Sequence, residues 1–111
     1  MAWSINLHEE VRDWYAQLPT EEFGHVEGML DMLREQGPAL GRPLVDTIRD
    51  SRHQNMKELR RGTTRILFAF DPKREAILLV VGDKRGDWNR WYDTAVPIAD
   101  ERYDEWLDNL E

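Results

Sequence analysis

The stretch "MKELRRGTTRILFAF", residues 56–70, decides the fold of this 111-residue chain. Side chains alternate through both of its halves. Lys57 and Leu59 fall on one side, Glu58 and Arg60 on the other; further on, Ile66, Phe68 and Phe70 share a side and leave Arg65, Leu67 and Ala69 opposite. A period of two marks a strand, because successive side chains leave a pleated backbone in opposite directions. Gly62-Thr63 between the two runs predicts a tight turn and so an antiparallel hairpin. Asp71-Pro72-Lys73-Arg74 makes a second turn. Beyond it, the run from Ala76 to Val81 is apolar throughout and predicts a central strand covered on both faces.

Upstream, the period lengthens. Leu7, Val11, Trp14, Tyr15 and Leu18 recur at helical spacing, with Asn6 as the expected N-cap, Glu9 three residues on, and Pro19 as the stop. Thr20 reads as a second N-cap, followed by Glu21 and Glu22 in the first turn and a stripe of Phe23, Val26, Met29, Leu30 and Leu33 that ends at Gly37-Pro38. Residues 1–5 are too short to type, although a small edge strand fits them. Residues 37–55 have no period, and "VDTIRDS" at 45–51 accommodates a strand or a turn. A last helix is expected near Pro97, with Ala99, Tyr103, Trp106, Leu107 and Leu110 as its apolar stripe. The order predicts one α+β domain over residues 1–111: two N-terminal helices and a C-terminal helix packed on a small antiparallel sheet.

Charge is laid out unevenly. Residues 52–92 carry ten Lys/Arg against five Asp/Glu, whereas 1–51 carry four against ten and 93–111 one against seven. A basic centre is thus bracketed by acidic ends within a net charge of -7. Helices that are acidic merely for solubility explain this as well as a polyanion-binding centre does. The absence of Cys excludes disulfides and thiolate metal sites, the scattered Asp and Glu lack metal-ligand spacing, and no cofactor-binding motif occurs. No apolar run is long enough to span a membrane, and the first residues lack a basic-then-apolar signal, so a soluble cytoplasmic protein is expected.

The chemistry-bearing residues cluster in the centre. Lys57, Arg60, Arg61 and Arg65 on adjacent strands would suit a phosphate, since guanidinium offers a bidentate fork and ammonium a point charge. "GDKRGDWNRWY", residues 82–92, adds Lys84, Arg85 and Arg90 interleaved with Trp88, Trp91 and Tyr92. Cations between rings are what unpaired RNA asks for, charge tracking the backbone and rings stacking on bases. The plainer alternatives are cross-strand pairing of the arginines with Glu58 or Asp83, and tryptophans that cover a core edge. His53, ahead of the hairpin, is a lone histidine that suits a surface or core-edge role better than catalysis. His8 and His25 have no partner pattern.

In order and spacing, "MKELR…TRILFAFDPKREAILLVVGDK…RWYDTAVPIADERYDEWL" resembles the RelE/ParE-fold toxins, and within them the HigB-like, phage-derived Gp49-like branch of type II toxin–antitoxin systems. The resemblance runs from Trp3 to Leu107. It implies a ribosome-dependent mRNA endonuclease that needs no cofactor and works by attack of a ribose 2′-OH on the neighbouring phosphate. The implied partners are the 70S ribosome with its mRNA and a cognate antitoxin, commonly of the helix-turn-helix type. By position, Lys57 and Arg65 match the basic strand residues that hold the phosphate. Lys84 matches the basic residue after the third strand, and Tyr92 the aromatic that stacks a base or assists proton transfer; these four form the expected catalytic set. Arg60, Arg61, Arg85, Arg90, Trp88, Trp91 and His53 are the expected RNA contacts. Two departures stand out: relatives are usually basic overall, and several carry a C-terminal histidine where this chain has none after His53. A catalytically inactive binding module for an antitoxin-like partner, or a gyrase poison on the same fold, are the competing expectations.

Overall fold

Turn chemistry sets the strand pairing. The computed structural model describes residues 2–83, 85–86 and 88–110, and in it β3 (Lys57–Arg61) and β4 (Thr64–Phe70) form the expected hairpin about Gly62, whose φ of 57° is a turn conformation open to glycine. At the second turn, Asp71 Oδ1 accepts from the amides of Lys73 and Glu75 at 2.8 and 3.0 Å, which holds the chain as it reverses into β5 (Glu75–Asp83). Arg74 takes up the left-handed conformation there, with its guanidinium 4.5 Å from the Trp3 ring.

Two further strands widen the sheet. β1 (Ser4–Leu7) runs parallel to β5, and β2 (Val45–Thr47) runs antiparallel to β3, so the order is β1-β5-β4-β3-β2. The sheet is therefore five-stranded and mixed: to the three antiparallel strands expected it adds two, at the places where residues 1–5 and 45–51 left a strand open. Four and three residues are too few to show a period, and both sit at edges, where short strands limit unwanted pairing.

Helices cover both faces. α1 (Glu9–Ala16) and α2 (Thr20–Gln36) pack Val11, Val26, Leu30 and Leu33 against Leu59, Ile66, Phe68 and Leu78. α3 (Trp88–Asp108) packs Ala95, Val96, Ala99 and Tyr103 against Met56, Leu67, Ala69 and Ile77 on the other face. β5 is the doubly covered strand its sequence called for. A bulge between Leu67 and Phe68 sets Leu79 out of register, and its carbonyl accepts from Arg102 at 2.7 Å.

Helix starts differ from expectation. His8, not Asn6, caps α1 through Nδ1, which accepts from the Glu10 amide at 3.2 Å; Asn6 lies in β1 and bonds Glu75 instead. Pro19 precedes α2, and Thr20 is its first residue. α3 begins at Trp88, well before Pro97, which lies inside it. Pro97 removes one helical N–H, but it is exposed, so solvent can serve the freed carbonyl.

Candidate functional site

Strand alternation divides the expected cation cluster between two faces. Lys57 pairs in register with Phe68 and Thr47, so it shares the face of Leu59 and Ile66. Arg60 pairs with Arg65, and Arg65 with Gly82, on the opposite face beneath the start of α3. Lys57 is thus not brought together with Arg65, and Lys84 lies outside the described residues. The period of two that predicted the strands also separates Lys57 from Arg60, because an odd step along a strand crosses the sheet.

What gathers at Arg65 is a mixed-charge constellation centred on Glu58, a residue absent from the expected set. Glu58 is 4% exposed and Arg65 7%. Tyr92 donates its hydroxyl to Glu58 Oε1 at 2.6 Å, and Arg60 Nε donates to Oε2 at 3.1 Å. Arg65 Nε stands 3.7 Å from Oε1, an ion pair beyond hydrogen-bond length, and is buried without a bonding partner. Arg65 Nη1 is fixed by the carbonyls of Gly62 and Thr64 at 2.7 and 2.9 Å. Asp46, on the edge strand β2, adds a second carboxylate 3.5 Å from Arg60. One signal for Glu58 was present in the sequence: it lies two residues before Arg60 on the same strand, hence on the same face.

Burial and the Glu58 carboxylate push the Tyr92 phenol up to about 12. At neutral pH Tyr92 is therefore a donor, not a phenolate, and its bond to Glu58 holds the carboxylate in place. Tyr92 also lines a cavity of about 240 Å³ with Asp50, Asp93, Val96 and Pro97.

The remaining expected RNA contacts are mostly engaged within the protein. Arg61 pairs with Glu22 at 3.3 Å and Arg85 with Asp83 at 2.9 Å, so these two cations are matched by carboxylates within the protein. Trp91 is half-buried, its indole against Gly82. Arg90 is exposed on the first turns of α3, and Trp88 is described only as the first residue of that helix. His53 Nε2 lies 2.7 Å from Asp104 Oδ1, its ring edge-on to Tyr103 at 4.7 Å. Beside it Ser51 Oγ and the Arg52 amide bind Asp100, so residues 51–53 are latched to α3. Among the described residues no group of three or more His, Asp and Glu side chains could hold a metal ion, and no helix is long and apolar enough to cross a membrane.

A mixed five-stranded sheet with two helices on one face and a third on the other is the fold of solved RelE toxins. The archaeal RelE–RelB complex of Pyrococcus horikoshii superposes with a TM-score of 0.64 at 17% identity, over 78% of this chain and 99% of that one. The toxin–antitoxin complex RelBE2 of Mycobacterium tuberculosis gives 0.57 at 18% identity, over 75% and 99%. Residues 13–104 match the family described as phage-derived protein Gp49-like (DUF891), and the chain belongs to that family. It is 51% identical to the toxin candidate HigB3 of Mycobacterium tuberculosis over 94% of this chain and 93% of the relative. To the toxin candidate HigB2 of the same organism it is 47% identical, over 100% of this chain and 57% of that one.

Proposed function

We propose that this protein is the toxin of a type II toxin–antitoxin system and acts as a ribosome-dependent mRNA endonuclease. Similarity to the two HigB toxin candidates across nearly the whole chain supports the toxin reading, and two solved toxin–antitoxin complexes with the same fold support an antitoxin partner. The observation that carries the chemistry is the Glu58–Arg65–Tyr92–Arg60 constellation. A 2′-OH attacking its neighbouring phosphate gives up a proton, builds charge on a phosphorane, and expels the 5′-oxygen, which takes up a proton. Glu58 is the acceptor for the first proton, and water supplies the one that the 5′-oxygen takes up. Arg65, pinned by two carbonyls and paired with Glu58, supplies positive charge to the phosphorane, and Arg60 supplies the second fork. Tyr92 orients Glu58, and the cavity it lines receives a base beside the scissile phosphate. Lys57, across the sheet, and Lys84 are left with flanking phosphates.

The burial of Glu58 and Arg65 favours a second reading, an inactive toxin-fold module that holds a partner. Induced expression in a bacterial host, with primer extension on cellular mRNA, separates the two. New 5′ ends and growth arrest with the wild type, both absent with Glu58→Gln, support the nuclease. Growth arrest that is equal in wild type and variant, without new ends, supports the module.

A further inference from the structure

We infer that Gly82 and Trp91 form a seat that fixes Tyr92 over Glu58, which makes Gly82 a positioning residue for the site. Gly82 lies on β5 in register with Arg65. A Cβ there would stand 2.2 Å from Trp91 Nε1, 2.7 Å from Cε2 and 2.8 Å from Cζ2, far inside van der Waals contact. The backbone at Gly82 is not in the left-handed region, so conformation does not call for glycine. Gly62 shows the reverse case, with a positive φ of 57° and open space about its Cβ position. Room for the indole is thus what residue 82 supplies.

The contact passes directly to the site. The Trp91 and Tyr92 rings meet edge to face at 5.0 Å, and the Tyr92 hydroxyl reaches Glu58 Oε1 at 2.6 Å. With the indole against Gly82, the first turns of α3 come down over the sheet, and Tyr92 reaches a carboxylate that the strand alternation has turned toward it. A methyl group at residue 82 lifts the indole and the helix start with it. The phenol then leaves Glu58, and Arg65 loses its cover.

The seat itself is testable without any assumption about nuclease activity; only its catalytic consequence rests on that reading. Ultraviolet titration of the tyrosines reads the phenol directly, with Tyr92→Phe identifying its contribution. In the wild type Tyr92 ionises near 12, and in Gly82→Ala or Trp91→Leu it moves toward the ordinary 10.0. Val11→Ala, a buried change on the other face, lowers stability and leaves that ionisation in place, which separates positioning from general loosening. On programmed ribosomes each seat variant loses about tenfold or more in kcat with KM little changed, as misplacement of a catalytic group does. The double variant loses no more than the worse single one, since both break one contact. If Gly82→Ala does not fold, Trp91→Leu carries both readouts. Tyr92 still ionising near 12 in the folded seat variants, or losses that add in the double variant, overturns the inference. A shifted phenol in a protein whose wild type cleaves nothing leaves the seat standing and removes the nuclease reading instead.

Discussion

Arg65 and Glu58 face each other from adjacent strands of the hairpin, Nε 3.7 Å from Oε1, with side chains 8% and 5% exposed. A buried pair of this kind is costly to break from one side, because the surviving charge keeps its desolvation penalty without its partner. Glu58→Ala should therefore destabilise the fold by about 3–5 kcal/mol, read as a lower urea midpoint at unchanged slope. Glu58→Gln keeps an acceptor for Tyr92 and Arg60 and should cost clearly less. Equal stability of the alanine variant and the wild type would mean that Arg65 has another route to solvent.

Tyr92 makes stability fall in alkali. Its phenol ionises at 10.0 when unfolded and at about 12 when folded, so the contribution is intact below 10 and is lost as pH rises through the folded value. The sign follows from proton counts: between these values the unfolded chain has released a proton that the native state keeps. Urea midpoints measured from pH 9 upward should drop more steeply for the wild type than for Tyr92→Phe. Parallel curves would contradict the burial of this hydroxyl.

The hairpin, its two turns and the doubly buried β5 are legible from residues 56–81, because alternation and turn residues are local signals. The edge strands are not. β1 pairs with a strand more than sixty residues away, as Ser4↔Glu75 does, and nothing within four residues announces a parallel partner. The start of α3 at Trp88 was hidden by Pro97, a strong local signal for a helix start that tertiary packing overrides. At the site, alternation within β3 already separates Lys57 from Arg60, a consequence that the expected cluster of Lys57, Arg60 and Arg65 does not carry through. Glu58 is legible as a cross-strand partner of the arginines, and the structure pairs it with both Arg60 and Arg65. Glu58 is visible only when the partner of each buried cation is asked for.

A latch between loop and helix should behave as a local unit. The hydrogen bond from His53 first, then Arg52, holds the Asp104 carboxyl below its ordinary 3.8, so the tie is intact above that value and is lost as pH falls through the lowered one. Asp104→Ala should speed amide exchange at residues 51–56 while leaving β4 and β5 protected. Uniform acceleration across the sheet would show instead that the latch supports the global fold.

The most direct test of the account is cleavage of mRNA by purified protein on programmed 70S ribosomes, with Arg65→Ala alongside and a message carrying 2′-deoxyribose at the cut site. Wild type is predicted to cut translated message, leaving a 2′,3′-cyclic phosphate and a 5′-OH. Arg65→Ala should lose roughly two or more orders of magnitude, as on removal of one transition-state charge donor, and the deoxy message should remain whole. Cutting of the deoxy message, or full activity in a folded Arg65→Ala, would contradict a site built on this pair and attack by the 2′-oxygen.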